Sequence, residues 1–92
     1  MTNVMEEKIL IVNKLGLHAR AAAKLVNIAS AFASEIKLEY RDQEVDAKSI
    51  MGIMMLAAAQ GATVIVRTQG EDATTAMRAV CELFNDRFGE PE

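Results

Sequence analysis

The sequence predicts an α+β fold: a two-layer, open-faced sandwich in which a four-stranded antiparallel sheet carries three helices on one face. Three observations support it. Segments rich in β-branched residues alternate with helical ones in the order β-α-β-β-α-β-α. Two helical segments carry a single apolar stripe, so both can be buried against the same face of a sheet. One strand alternates apolar and charged residues strictly, which leaves the other face of that sheet polar. A length of 92 residues suits one domain over 1–92.

The elements follow in order. Glu6 to Asn13 contains Ile9, Leu10, Ile11 and Val12 in a row and runs into a turn at Gly16, which predicts a strand. His18 to Ser34 is Ala-rich and free of Pro and Gly. Ala22, Leu25, Val26, Ala29 and then Phe32 or Ala33 fall on one stripe, which predicts a helix. In the next strand, Ile36, Leu38 and Tyr40 alternate with Glu35, Lys37 and Glu39. A tight turn at "RDQE" sends the chain back through "EVDA". Lys48 to Gly61 is a shorter helix, with Ser49 as N-cap, Gly52 weakening its interior and Gly61 at its exit. Ala62 to Gly70 is a β-branched strand. Glu71 to Gly89 is a helix with its stripe at Ala73, Ala76, Met77, Val80, Phe84 and Phe88. Acidic residues open it, and Gly89 and Pro91 close it.

Composition narrows the function. Apolar residues make up 51% of the chain and aromatics only 4%, so the core must be aliphatic, with Ala and Met. A net charge of −3 argues against nucleic-acid binding, which needs a basic footprint. The lone Cys81 cannot form an internal disulfide and suits a small buried filler. Neither a cationic leader nor a bilayer-length apolar run is present, so a soluble, cytoplasmic protein is expected.

The only histidine, His18, lies where strand and turn give way to helix. The first N–H groups of a helix have no internal partners and carry the positive end of its dipole, so an anion is favoured there. Arg20, in the same first turn, adds a planar fork suited to phosphate oxygens. Imidazole is a competent nucleophile with a free base near neutral pH. The group could therefore accept and hold a phosphoryl group, although a lone histidine at a helix start is more often an ordinary cap or surface residue. No second His or Cys stands at ligand spacing, so no metal site is expected.

"GLHARAAAKLV" resembles the active-site segment of the HPr family, the histidine-containing phosphocarriers of the bacterial sugar phosphotransferase system. "KSIMGIMMLAAAQG" resembles the regulatory-serine segment of the same family. The two motifs stand in the right order, and the similarity runs over essentially the whole chain. It implies that enzyme I, phosphorylated from phosphoenolpyruvate, gives its phosphoryl group to Nδ1 of the histidine matched by His18. It further implies that an enzyme IIA protein or domain receives that group, and that the residue matched by Arg20 helps to hold it. No cofactor is implied, nor any nucleic-acid partner or membrane insertion, and a monomer is expected. This chain departs from the family in carrying Ala21 where proline is usual. It also has Asn27 and Ser30 where lysines are frequent, leaving Lys24 as the main basic residue of that face.

Ser49 is first a helix cap. The resemblance adds a site for an HPr kinase/phosphorylase, since an N-cap can take a phosphate without melting its helix. The methionines after it suit a core, but Ile53, Leu56 and Ala57 can supply the buried side of so short a helix. Ile50, Met51 and Met54 then form a flexible apolar patch, at the face the family uses for docking. Two other readings stand beside the phosphocarrier. One is a nitrogen-branch regulator acting through phosphorylation-dependent binding. The other is a small hydrolase with His18 as general base, for which no partner nucleophile stands at convincing spacing.

Overall fold

The computed structural model describes residues 3–92. Its strands are β1 (Asn3–Leu10), β2 (Glu35–Tyr40), β3 (Gln43–Asp46) and β4 (Thr63–Gly70). Its helices are α1 (Ala19–Ala29), α2 (Ile50–Met55) and α3 (Ala73–Asn85), followed by a 3-10 turn at Arg87–Gly89. The sheet is antiparallel with strand order β1-β4-β2-β3, and the element order is the expected one.

Alternation puts Ile9, Ile36, Leu38, Val64 and Val66 on the helix-facing side, where all are buried. They meet Ala21, Ala22, Leu25 and Ala29 of α1 and Ala76, Met77, Val80 and Phe84 of α3 in one apolar cluster. All six residues of the expected α3 stripe are buried. On the open face Arg67 bridges three strands, reaching Glu6 at 2.7 Å, Glu39 at 2.7 Å and Glu44 at 2.9 Å. The β2–β3 hairpin turns on Arg41 and Asp42, with φ of +52° and +64°, as a two-residue hairpin of the I′ kind requires.

The structure corrects several boundaries, each for a tertiary reason. β1 runs from Asn3 to Leu10 rather than from Glu6 to Asn13, because it pairs along all of β4, from Asn3 opposite Gly70 to Leu10 opposite Thr63. α1 ends at Ala29 instead of Ser34. The Asp72 carboxylate accepts hydrogen bonds from Ala33 N–H and Ser34 N–H, each at 2.9 Å, and from the Ser34 hydroxyl, drawing the chain out of helix. Val26 and Phe32 are thus half-buried and Ala33 is exposed. α2 stops at Met55, since Ala57 adopts φ +50° and faces solvent while Ala58 takes the buried place expected of Ala57. α3 ends at Asn85, and Arg87 and Phe88 turn back at φ +56° and +55°. That reversal seats the Phe88 ring 4.9 Å from Phe84. Cys81 is only partly buried, and that burial, then the Glu7 carboxylate, raise its thiol above the usual range.

Candidate functional site

The chain between β1 and α1 is held at both ends. Asn13 is fully buried and donates from Nδ2 to the Gly16 carbonyl at 2.9 Å. Gly16 N–H donates to the Asn13 carbonyl at 3.2 Å, and Leu17 N–H to the Ala58 carbonyl at 3.0 Å. Gly16 has φ +64°, and a Cβ there would sit 2.7 Å from the Ala58 oxygen and 2.8 Å from Ala59 Cα. Only glycine fits, for both conformation and space. The turn before His18 is thereby locked to the segment leaving α2.

His18 is the N-cap of α1, extended at φ −73° and ψ 176°. Its carbonyl accepts the first helical bond, from Ala22 N–H at 2.8 Å. Its side chain does what a capping oxygen usually does: Nδ1 accepts from Arg20 N–H at 3.3 Å. On the far side of the ring Nε2 meets the Glu90 carboxylate. These partners assign the tautomer: Nδ1 bears the lone pair, and Nε2–H donates to Glu90. The second Glu90 oxygen accepts from Asn13 Nδ2 at 3.1 Å. Burial works against the Glu90 charge. The hydrogen bonds from His18 and Asn13 and the charge of nearby Lys24 outweigh it and hold this carboxyl below the usual range.

His18 and Arg20 line a cleft of about 340 Å³ with Lys14, Leu15 and Glu90–Glu92. Arg20 is exposed, and no ion pair or side-chain hydrogen bond engages its guanidinium among the described residues. Lys24 is half-buried and donates to the Phe88 carbonyl at 2.6 Å, so part of its donor capacity is used within the fold. Ala21 is fully buried in the first turn of α1, and its helix forms without the usual proline.

Ser49 caps α2, its hydroxyl accepting from Gly52 N–H at 3.1 Å. Gly52 is more than a weak helix residue: a Cβ there would lie 3.2 Å from Val45 Cβ, so its smallness brings α2 close to β3. Ile53 and Leu56 are buried; Ile50, Met51 and Met54 are 42%, 72% and 42% exposed. Met55 and Leu15, not anticipated, are 64% and 66% exposed. The spacing of four between Met51 and Met55 was the available signal for the former; Leu15, in an irregular turn, gave none. Asn13 and Glu90 also escaped sequence reasoning. No local pattern in "GEPE" points to a histidine 72 residues earlier. No helix among the described residues is long and apolar enough to cross a membrane, and no group of three or more metal-ligating side chains converges there.

A nucleophilic imidazole at a helix mouth, with a free guanidinium in the same cleft, defines a site suited to an anion and to covalent chemistry at Nδ1. A family profile described as the PTS HPr component phosphorylation site matches residues 5–86. The chain is 54% identical over 87 residues to the phosphocarrier protein HPr of Xylella fastidiosa (strain 9a5c), covering 95% of this chain and 98% of that one. Over 86 residues it is 41% identical to the phosphocarrier protein NPr of Shewanella violacea, covering 94% of each. The crystal structure of HPr-C-His from Thermoanaerobacter tengcongensis matches with a TM-score of 0.92 at 45% identity, over 96% of this chain and 99% of that one. The chain belongs to the HPr family, the phosphocarriers of the phosphotransferase system.

Proposed function

We propose that this chain is a cytoplasmic, monomeric phosphoryl carrier of one domain, relaying the group from phospho-enzyme I to enzyme IIA proteins through a phosphohistidine at His18. The observation that supports it most is the geometry at Nδ1: it stands at a helix mouth and accepts the long 3.3 Å bond from Arg20 N–H, with Nε2 on the far side of the ring turned to Glu90. An arriving phosphoryl group displaces that bond, and its oxygens then take the freed N–H and the Arg20 guanidinium. The transfer needs positioning and charge stabilisation more than any other chemistry. Because the chain is itself modified and regenerated, it acts as a carrier, not an enzyme.

Docking falls to Ile50, Met51 and Met54, with Lys24 adding charge at the rim. Thioether side chains repack readily, which suits one surface serving both a donor and an acceptor. Ser49 is the regulatory site in this reading, a substrate for an HPr kinase/phosphorylase. A phosphate there adds roughly −1.5 to −2 charges beside that surface. The likeness to a protein named NPr supports a second reading, a nitrogen-branch regulator whose binding depends on phosphorylation at the same histidine.

The test is phosphoenolpyruvate with enzyme I from each branch. The wild type should gain one acid-labile phosphate, and His18→Ala should fold normally and gain none. Phosphate uptake by His18→Ala would overturn the assignment. Uptake only from the nitrogen-branch enzyme would select the second reading.

A further inference from the structure

We propose that Glu90 is a positioning residue for phosphoryl transfer through His18: its carboxylate keeps a proton on Nε2 in both the free and the phosphorylated ring and denies that nitrogen to the phosphoryl group. The inference rests on the carrier reading above and adds to it how the reacting nitrogen is selected.

An imidazole has two nitrogens able to carry a phosphoryl group, and neither helix α1 nor Arg20 blocks the outer one. Glu90 does, by accepting Nε2–H. Its place is secured from several directions. Gly89 N–H donates to the Asp86 carbonyl and Glu90 N–H to that of Arg87, both at 2.9 Å. Lys24 holds the Phe88 carbonyl at 2.6 Å. Lys14 N–H holds the Glu92 carbonyl at 2.9 Å. The Glu90 side chain is only 12% exposed, and its free oxygen is aimed by Asn13. Asn13 itself is fully buried, and its Nδ2 is fixed by the two bonds it donates, to the Gly16 carbonyl and to Glu90.

The step balances without a mobile proton. The Nδ1 lone pair forms the N–P bond as the donor's N–P bond breaks, with that electron pair returning to the donor's imidazole. The His18 ring, still protonated on Nε2, becomes a phosphoimidazolium whose positive charge faces the Glu90 carboxylate. When the phosphoryl group moves on, the electron pair returns to Nδ1 and the ring is neutral again, its Nε2 proton in place. A carboxylate behind an imidazole both fixes its orientation and stabilises the cation.

The test uses phosphoramidate, a small phosphoryl donor that needs no partner protein, on wild type, Glu90→Gln and Glu90→Ala. NMR distinguishes phosphate on Nδ1 from phosphate on Nε2. Wild type should give the Nδ1 product. Glu90→Gln, which still offers an acceptor oxygen to Nε2–H, should keep that product at a lower rate. Glu90→Ala should yield a mixture of both products and react at Nδ1 roughly ten-fold more slowly, equivalent to ~1.4 kcal/mol. Circular dichroism checks the fold, which should persist because Asn13 keeps its bond to Gly16. Wild-type rate and pure Nδ1 product from Glu90→Ala would overturn the proposal. If the Glu90 dependence appears with phosphoramidate while enzyme I transfers nothing to wild type, the positioning role stands and the carrier reading fails.

Discussion

Replacing Gly16 with alanine should cost this protein far more stability than the same exchange at Gly61. Two penalties combine. Alanine at φ +64° is held in the left-handed region, at about 1 kcal/mol. Its Cβ would also stand 2.7 Å from the Ala58 oxygen and 2.8 Å from Ala59 Cα. Both are backbone atoms, so no side chain can swing aside. Relief requires moving the 57–59 segment and loosening the 3.0 Å bond from Leu17 N–H to Ala58, at a further ~2 kcal/mol. Gly61 is the internal control: φ is +90°, but nothing lies within 4 Å of its would-be Cβ, so only the conformational penalty applies. The two alanine variants are compared by urea titration and thermal melting. Gly61→Ala should lower the midpoint by about 4–8 °C and Gly16→Ala by roughly 12–24 °C. Equal losses would show that the clash is relieved freely and that the turn is not locked to the segment leaving α2.

The remaining expectations concern charge and surface. Ser49→Asp should change stability by no more than about 0.5 kcal/mol, since aspartate also caps helices. It should slow enzyme I-dependent phosphorylation several-fold at low salt, the effect fading as salt screens the rim; equal rates at low ionic strength would return Ser49 to being a cap alone. Met51→Asp, at a position 72% exposed, should leave the melting temperature nearly unchanged and weaken enzyme I binding by about ten-fold, read by titration calorimetry. A large drop in melting temperature would make that methionine part of the core. The Ser34 hydroxyl, then Ala33 N–H, hold the Asp72 carboxyl below its usual range. A carboxyl depressed by folding stabilises above its unfolded pKa and stops doing so as pH falls through its folded one. Asp72→Asn should therefore be less stable than wild type at neutral pH, with the gap closing as the pH falls below the ordinary aspartate range; a gap independent of pH would remove the charge from the explanation.

The parts of this fold legible in the sequence are those whose cause is local. Ile36 and Leu38 announce a half-buried strand by alternation alone, and the α3 stripe from Ala73 to Phe84 announces its buried face by spacing. The boundaries were less legible because distant residues set them. α1 ends where Asp72 takes up Ala33 and Ser34, and nothing near Ser34 in the sequence reports an aspartate that far along. Phe88 was placed in the core correctly but by continuing the helix, whereas the chain reaches it by a reversal. At the site, residue chemistry described what His18 and Arg20 can do, and the family resemblance supplied the cycle they serve. Asn13 and Glu90 stayed hidden because hydrogen bonds across the fold, not spacing, bring them to the imidazole.

The Asp72 contact has a consequence for how the chain folds. Until β4 and the start of α3 are in place, the N–H groups of Ala33 and Ser34 have no carboxylate to receive them, and "SAFAS" is free to continue the α1 helix. An excised peptide running from His18 to Ser34 should thus carry helix beyond Ala29, and the native end of α1 should form late, after a loop of nearly 40 residues has closed. Where that extra turn forms early, the refolding chain has to unwind it before Ser34 can settle against Gly70.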